Sequence, residues 1–185
     1  MATRGGSTGT GKFILGLLIG LLLIPIAGLV YFKFGHVPVA TADKPFPYER
    51  QLTHIPLDAR EAREAPAEAP FAESEDVFEG GAHVYREQCA SCHGTPGHSV
   101  PFAKSMYPTA PQLWTSHRPG VTGVSDDPVG TTYWVVSNGI RLTGMPSFSK
   151  VLTDTQMWQV AILLKNANQP LPDPVNNILT APAGK

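Results

Sequence analysis

Cys89 and Cys92 stand two residues apart in "YREQCASCHG", residues 85–94, with His93 directly after the second, and the chain has no other cysteine. Four chemistries use such a pair. A thioredoxin-type redox pair needs a βαβ context, whereas this segment follows a helical pattern. A structural zinc site needs four ligands at paired spacing, and a second cysteine pair is absent. A disulfide across two intervening residues closes almost no loop and leaves His93 unexplained. Covalent attachment of haem uses all three residues: the two thiols add to the two vinyl groups, and the histidine becomes the proximal ligand of iron. The motif therefore implies one haem c, bound through Cys89 and Cys92, with its iron on His93.

A second axial ligand has five candidates in the sequence: Met106, Met145, Met157, His98 and His117. Met157 lies in a regular helical pattern beside Trp158, a place for core packing. Met106 lies in the irregular stretch "FAKSMYPTAP", where lining a wall is as good a use for it. His98 is close to the attachment loop and falls on its proximal side, and His117 beside Arg118 suits solvent or a propionate. Met145 stands between Gly144, which allows close approach of the backbone, and Pro146, which fixes φ. It follows His93 by 52 residues, enough chain to reach the opposite face of a macrocycle. Phe102, Tyr107, Trp114, Tyr133, Trp134, Ile140, Leu142 and Phe148 are available to wrap the cofactor, and Tyr107, Trp114 and Arg141 are candidates to hold its propionates.

These residues need helices to position them. Ser74 caps a first helix whose early acids, Glu75, Asp76 and Glu79, complement its dipole and whose stripe Phe78, Ala82, Tyr85, Cys89 leads into the cysteine loop. Gly80 and Gly81 inside it cost about 1 kcal/mol each relative to Ala, which predicts close approach of another backbone, that of the last helix. That last helix opens on the capping box "TDTQ", Thr153–Gln156, and runs until Pro170. Asp127 as cap, Pro128 at the first helical position and Gly139 as terminator predict a helix between them. The proline-rich end, 171–185, reads as a flexible tail, and no strand or repeat is predicted.

Upstream, Phe13–Phe32 is an uncharged run of 20 residues, about 30 Å as a helix, which spans a bilayer. Arg4 and Lys12 precede it, so the head, 1–12, is expected in the cytoplasm and everything after Lys33 outside it. Its length exceeds that of a cleaved leader, although "ATA" at 40–42 offers a cleavage site. Gly16 and Gly20 form a small-xxx-small pair. Residues 33–73, with six prolines and the alternating charges of "DAREAREAPAEAP", read as an extracytoplasmic linker in which Asp58 caps a two-turn helix ended by Pro66. "QLTHIPL", 51–57, is more apolar than a solvated tether requires. A net charge of −1 without any Lys/Arg run excludes nucleic acid as a partner.

Residues 74–167 resemble a class I cytochrome c, and the haem domain is expected to span 74–170. The likeness rests on "CASCHG", on Gly81 and Tyr85 of the N-terminal helix, on Trp158 opposite them, on "PQL" at 111–113 and on "NGIRLTGMPSF" at 138–148. It implies an all-α cytochrome c fold around one covalently held haem, preceded by the transmembrane helix and proline-rich linker. It also implies Met145 as the distal iron ligand and single-electron transfer. As a whole the chain resembles the membrane-anchored monohaem cytochromes of bacterial respiratory chains: an electron carrier rather than an enzyme, single-pass in the cytoplasmic membrane through 13–32, its haem domain periplasmic and its partners membrane redox complexes. Two other roles stay open at this level. One is a haem subunit of a larger dehydrogenase or oxidase; the other is a haem enzyme or sensor with an open distal site.

Overall fold

The computed structural model describes residues 7–182, so Arg4 and the last three residues lie outside the description. The chain divides between Pro45 and Phe46 into two compact units, and the fold is all-α apart from one small hairpin. In the first unit, helix α1, Ser7–Phe34, is longer than the apolar run predicted and continues through Pro25. Its Gly9–Phe34 stretch is long and apolar enough to cross a membrane, and none of it is buried. Prolines are tolerated in membrane-crossing helices because neighbouring groups and local adjustment of the helix can satisfy the freed carbonyl.

Two parts of the second unit correct the sequence reading. The linker contains a 16-residue helix, α2, Glu49–Glu64, so Asp58 lies inside a helix and does not cap one. Glu49 accepts a hydrogen bond from the Phe46 backbone N–H, and Arg60 pairs with Glu64 one turn on. The apparent flexible tail carries α7, Asp173–Thr180, whose Val175 and Leu179 are completely buried against α3. Its prolines stand at the helix start, where a missing N–H costs nothing.

Around them, α3, Glu75–Val84, is capped by the Ser74 hydroxyl, which accepts from the Val77 N–H. One π-helical turn, Tyr85–Cys89, and the short α4, Ala90–His93, continue it. A 3₁₀ turn, Pro101–Ser105, precedes the antiparallel β1, Ser116–Arg118, and β2, Val121–Thr122. Helix α5, Val129–Asn138, starts after Pro128, which takes the cap position that the sequence suggested for Asp127. Helix α6, Asp154–Lys165, has the full Thr153–Gln156 capping box and stops at Asn166, ahead of Pro170.

The core is the crossing of α3 and α6, and it explains Gly81. A Cβ there would collide with the Gln159 carbonyl oxygen and come 3.1 Å from Leu163 Cβ. Tyr85, Val160, Leu163, Val175 and Leu179 fill the space around this crossing. Gly81→Val should therefore destabilise the domain by about 3 kcal/mol, the upper part of the usual range for overpacking a core. Thermal unfolding of the haem-loaded protein measures this; an unchanged melting temperature would mean that the helices are not in backbone contact.

Candidate functional site

The attachment segment leaves α3 through the π turn, in which the Ala90 N–H reaches back to the Tyr85 carbonyl. Such turns shift side chains around the helix relative to a regular continuation and are frequent at functional sites. Here the turn places Cys89 in the core and Cys92 at its edge, both as free thiols. Burial first, and the neighbouring Cys92 second, push the Cys89 thiol up to about 12.

The loop "PQL" closes over this turn with every residue engaged. His93 Nδ1 lies 2.7 Å from the Pro111 carbonyl, Gln112 Nε2 donates to the Cys92 carbonyl at 3.0 Å, and the Leu113 N–H donates to the His93 carbonyl. Gln112 also accepts, through Oε1, from the Val100 N–H at 2.7 Å. Because a carbonyl only accepts, the proton of a neutral His93 ring belongs on Nδ1, and the lone pair of Nε2 is left for a metal. Burial holds the His93 pKa below its ordinary value, which favours that neutral form, while the Pro111 carbonyl opposes the shift.

Gly94 ends the segment with φ of +74°, and a Cβ there would meet the His98 carbonyl oxygen at 2.6 Å. Tyr85 donates to the Gly94 carbonyl at 2.7 Å from a hydroxyl whose pKa burial raises. The ring of Trp114 packs edge-on to Tyr85, with centroids 5.6 Å apart. Trp114 Nε1 lies close enough to bear on the Tyr85 hydroxyl, yet it falls short of a hydrogen bond and is a buried donor without a partner.

On the other side of the sequence motif, α5 ends at Gly139 and the chain turns tightly. The Ile140 N–H donates to the Met145 carbonyl, Thr143 donates twice to the Ile140 carbonyl, and the Met145 N–H donates to Thr143 Oγ1 at 3.0 Å. Met145, half-buried, packs against the core. Sequence reasoning reserved Gly144 for approach to a macrocycle, but the atom nearest its absent side chain is the Met106 methyl, 2.5 Å from where a Cβ would sit. Met106 therefore lies against the Met145 loop.

The remaining candidates separate. Met157 is buried in α6. His117 is exposed, and His98 Nδ1 faces its own neighbour's carbonyl, that of Pro96. Arg141 is exposed. Partial burial and the nearby Glu49 of α2 raise the Tyr107 phenol above its ordinary value. Trp134, expected to wrap the cofactor, points its indole N–H at Glu64 of α2, 3.1 Å away, with Arg60 over the ring. Tyr133 stacks on Trp158 with centroids 4.0 Å apart, and Leu142 and Phe102 are exposed.

The donor set fits a haem. Two unpaired thiols and a histidine oriented by its second nitrogen occupy one turn, and Trp114 Nε1, an orphaned buried donor, suits an anionic propionate. The sequence singled out "PQL" by resemblance, but neither the hydrogen bonds of Gln112 nor the π turn was legible, because nothing in their residue types marks a backbone carbonyl as a partner.

Residues 76–164 match the family model described as "Cytochrome C oxidase, cbb3-type, subunit III". No curated protein matches the chain.

Proposed function

Since residues 76–164 make up a class I cytochrome c domain, we propose that this chain is a membrane-anchored electron carrier whose single haem c, held by Cys89, Cys92, His93 and Met145, passes electrons between membrane redox complexes outside the cytoplasm. The observation that carries the reading is the attachment turn itself, with free thiols on both cysteines and His93 fixed through Nδ1 to Pro111. Bound there, the haem supplies a one-electron couple whose potential is raised by a thioether ligand.

Each residue has a task toward that couple. Cys89 and Cys92 tie the macrocycle to the π turn and α4, so it stays in place in both oxidation states. Pro111, Gln112 and Leu113 hold the His93 ring and the Cys92 and His93 carbonyls, which limits reorganisation when charge changes. Thr143 and Ile140 fix the backbone of Met145, and Met106 packs behind Gly144. Trp114 is the favoured propionate donor, with Tyr107 and Arg141 in supporting positions at the rim. Helix α1, through residues 13–32, anchors the carrier in a bacterial cytoplasmic membrane with residues beyond Lys33 on the periplasmic side.

A second reading has its own support. The matched family is described as an oxidase subunit, and α2 shortens the tether that a mobile shuttle would use. A fixed haem subunit of a larger dehydrogenase or oxidase would co-purify with stoichiometric partners in mild detergent; a shuttle would emerge alone. For either role, potentiometric titration of the full-length protein should give one haem per chain and a one-electron Nernst slope. Two resolved couples per chain, or a slope of two electrons, would contradict the carrier assignment.

A further inference from the structure

Helix α2 carries two faces with different uses. Toward the haem domain it is latched through Glu64 and Arg60 on Trp134, with Leu57 and Glu61 half-buried on the same side. Just beyond its end the Pro66 carbonyl seats on Gly130, leaving no room for a Cβ there. The opposite side shows the stripe Leu52, Ile55, Ala59 and Ala62, at successive spacings of three, four and three residues, with Tyr48 at the cap position just before the helix. This is the spacing of one helix face. Its large members are strongly exposed, Leu52 by 63% and Ile55 by 63%, as is Tyr48 by 74%. A helix that turns polar groups inward and an apolar row outward has the reverse of the pattern expected for water.

What covers the stripe is argued from the chain's own connectivity. The 14 residues 35–48 separate α2 from the end of α1. Fully extended they reach about 48 Å, and as a flexible coil about 20 Å. A bilayer crossed by α1 is thus presented to α2 at an effective concentration in the millimolar range, without any second molecule having to be recruited. The row is narrow and shallow, with two alanines, and Arg63 stands beside it with a stem long enough to bring its charge to the headgroups. Tyr48, at the helix start, belongs to the residue types that favour the membrane–water boundary. Four acidic and three basic residues leave α2 nearly neutral, so contact needs no anionic lipid.

We propose that α2 is an interfacial helix whose Leu52, Ile55, Ala59, Ala62 face rests on the lipid surface, docking the haem domain on the bilayer through the Trp134 latch. The proposal rests on the anchored-carrier reading. It makes the 35–48 stretch, rather than the whole of 33–73, the free part of the tether.

The test uses the full-length haem protein in phosphatidylcholine vesicles containing a small fraction of phosphatidylcholine with a photoactivatable diazirine on its acyl chain. After irradiation, tryptic peptides are mapped by mass spectrometry. Lipid adducts are expected on peptide 51–60 as well as on the peptide covering residues 13–33. The Leu52→Glu Ile55→Glu variant should reduce labelling of 51–60 at least tenfold, with labelling of 13–33 and the haem spectrum unchanged. Wild-type label confined to 13–33 would overturn the lipid contact while leaving the anchor intact; no label on either peptide would overturn the anchor as well. Label on 51–60 that persists in the double variant would overturn the assignment to this stripe. Protection of 51–60 in native membranes but not in vesicles would name a protein, not lipid, as the occupant.

Discussion

Replacing Cys89 and Cys92 together by serine should abolish covalent haem: the denatured chain should migrate without haem stain and lose the mass of one cofactor, a change from full to zero occupancy. Serine keeps the shape of each side chain but cannot form a thioether. The single variants should behave differently from each other. Cys89 is buried among Tyr85, Leu163 and other core residues, whereas Cys92 lies at the edge. Cys89→Ser buries a hydroxyl in place of a thiol and should cost an additional 1–2 kcal/mol or so of stability. Cys92→Ser should leave stability nearly untouched and haem attached through the remaining bond. Haem that acid acetone extracts from the denatured wild type would refute attachment altogether.

Met145→Ala should remove the weak near-infrared band that sulfur-to-iron charge transfer gives the oxidised protein, and Met145→His should lower the reduction potential, because a harder ligand favours the ferric state. Neither change should release the haem, which Cys89 and Cys92 hold independently. Met106→Ala supplies the internal control. Its methyl group packs at Gly144, so its loss should loosen the loop and weaken the band without abolishing it, and Met106→Leu should restore it. Loss of the band in Met106→Ala but not in Met145→Ala would exchange the roles of the two methionines. Near-infrared absorption with redox titration of the four variants makes the comparison.

How far the site could be read in advance depended on the kind of physical signal each part leaves. Cys89, Cys92 and His93 announce themselves because attachment chemistry demands fixed residue types at fixed spacing. Ser74, the Thr153–Gln156 box and Gly81 were legible for a similar reason: capping and close backbone approach tolerate few residues. Helix α7 was missed because its prolines were read as breakers, although Val175 and Leu179 already stood one turn apart behind them. Helix α2 was underestimated because its helix-forming charges and its apolar row are each unremarkable alone. Its docking depends on Trp134 and Gly130, some 70 residues later, a long-range contact that local pattern does not encode. That same contact gives the Trp134 indole N–H its partner on α2. Trp114 was already one of three propionate candidates in the sequence, but only burial and hydrogen bonding together single it out, because among the described residues its Nε1 is the buried side-chain donor without a partner.

An electron carrier differs from a haem enzyme or sensor in having both axial positions of its iron filled by the chain. The decisive measurement is exposure of the ferrous, full-length wild-type protein to carbon monoxide, followed in its main absorption band, with Met145→Ala as the positive control. The wild-type spectrum should not change at saturating gas, while the variant should form a stoichiometric complex. Ready formation of that complex by the wild type would contradict the account and make a catalytic or gas-sensing haem the better description.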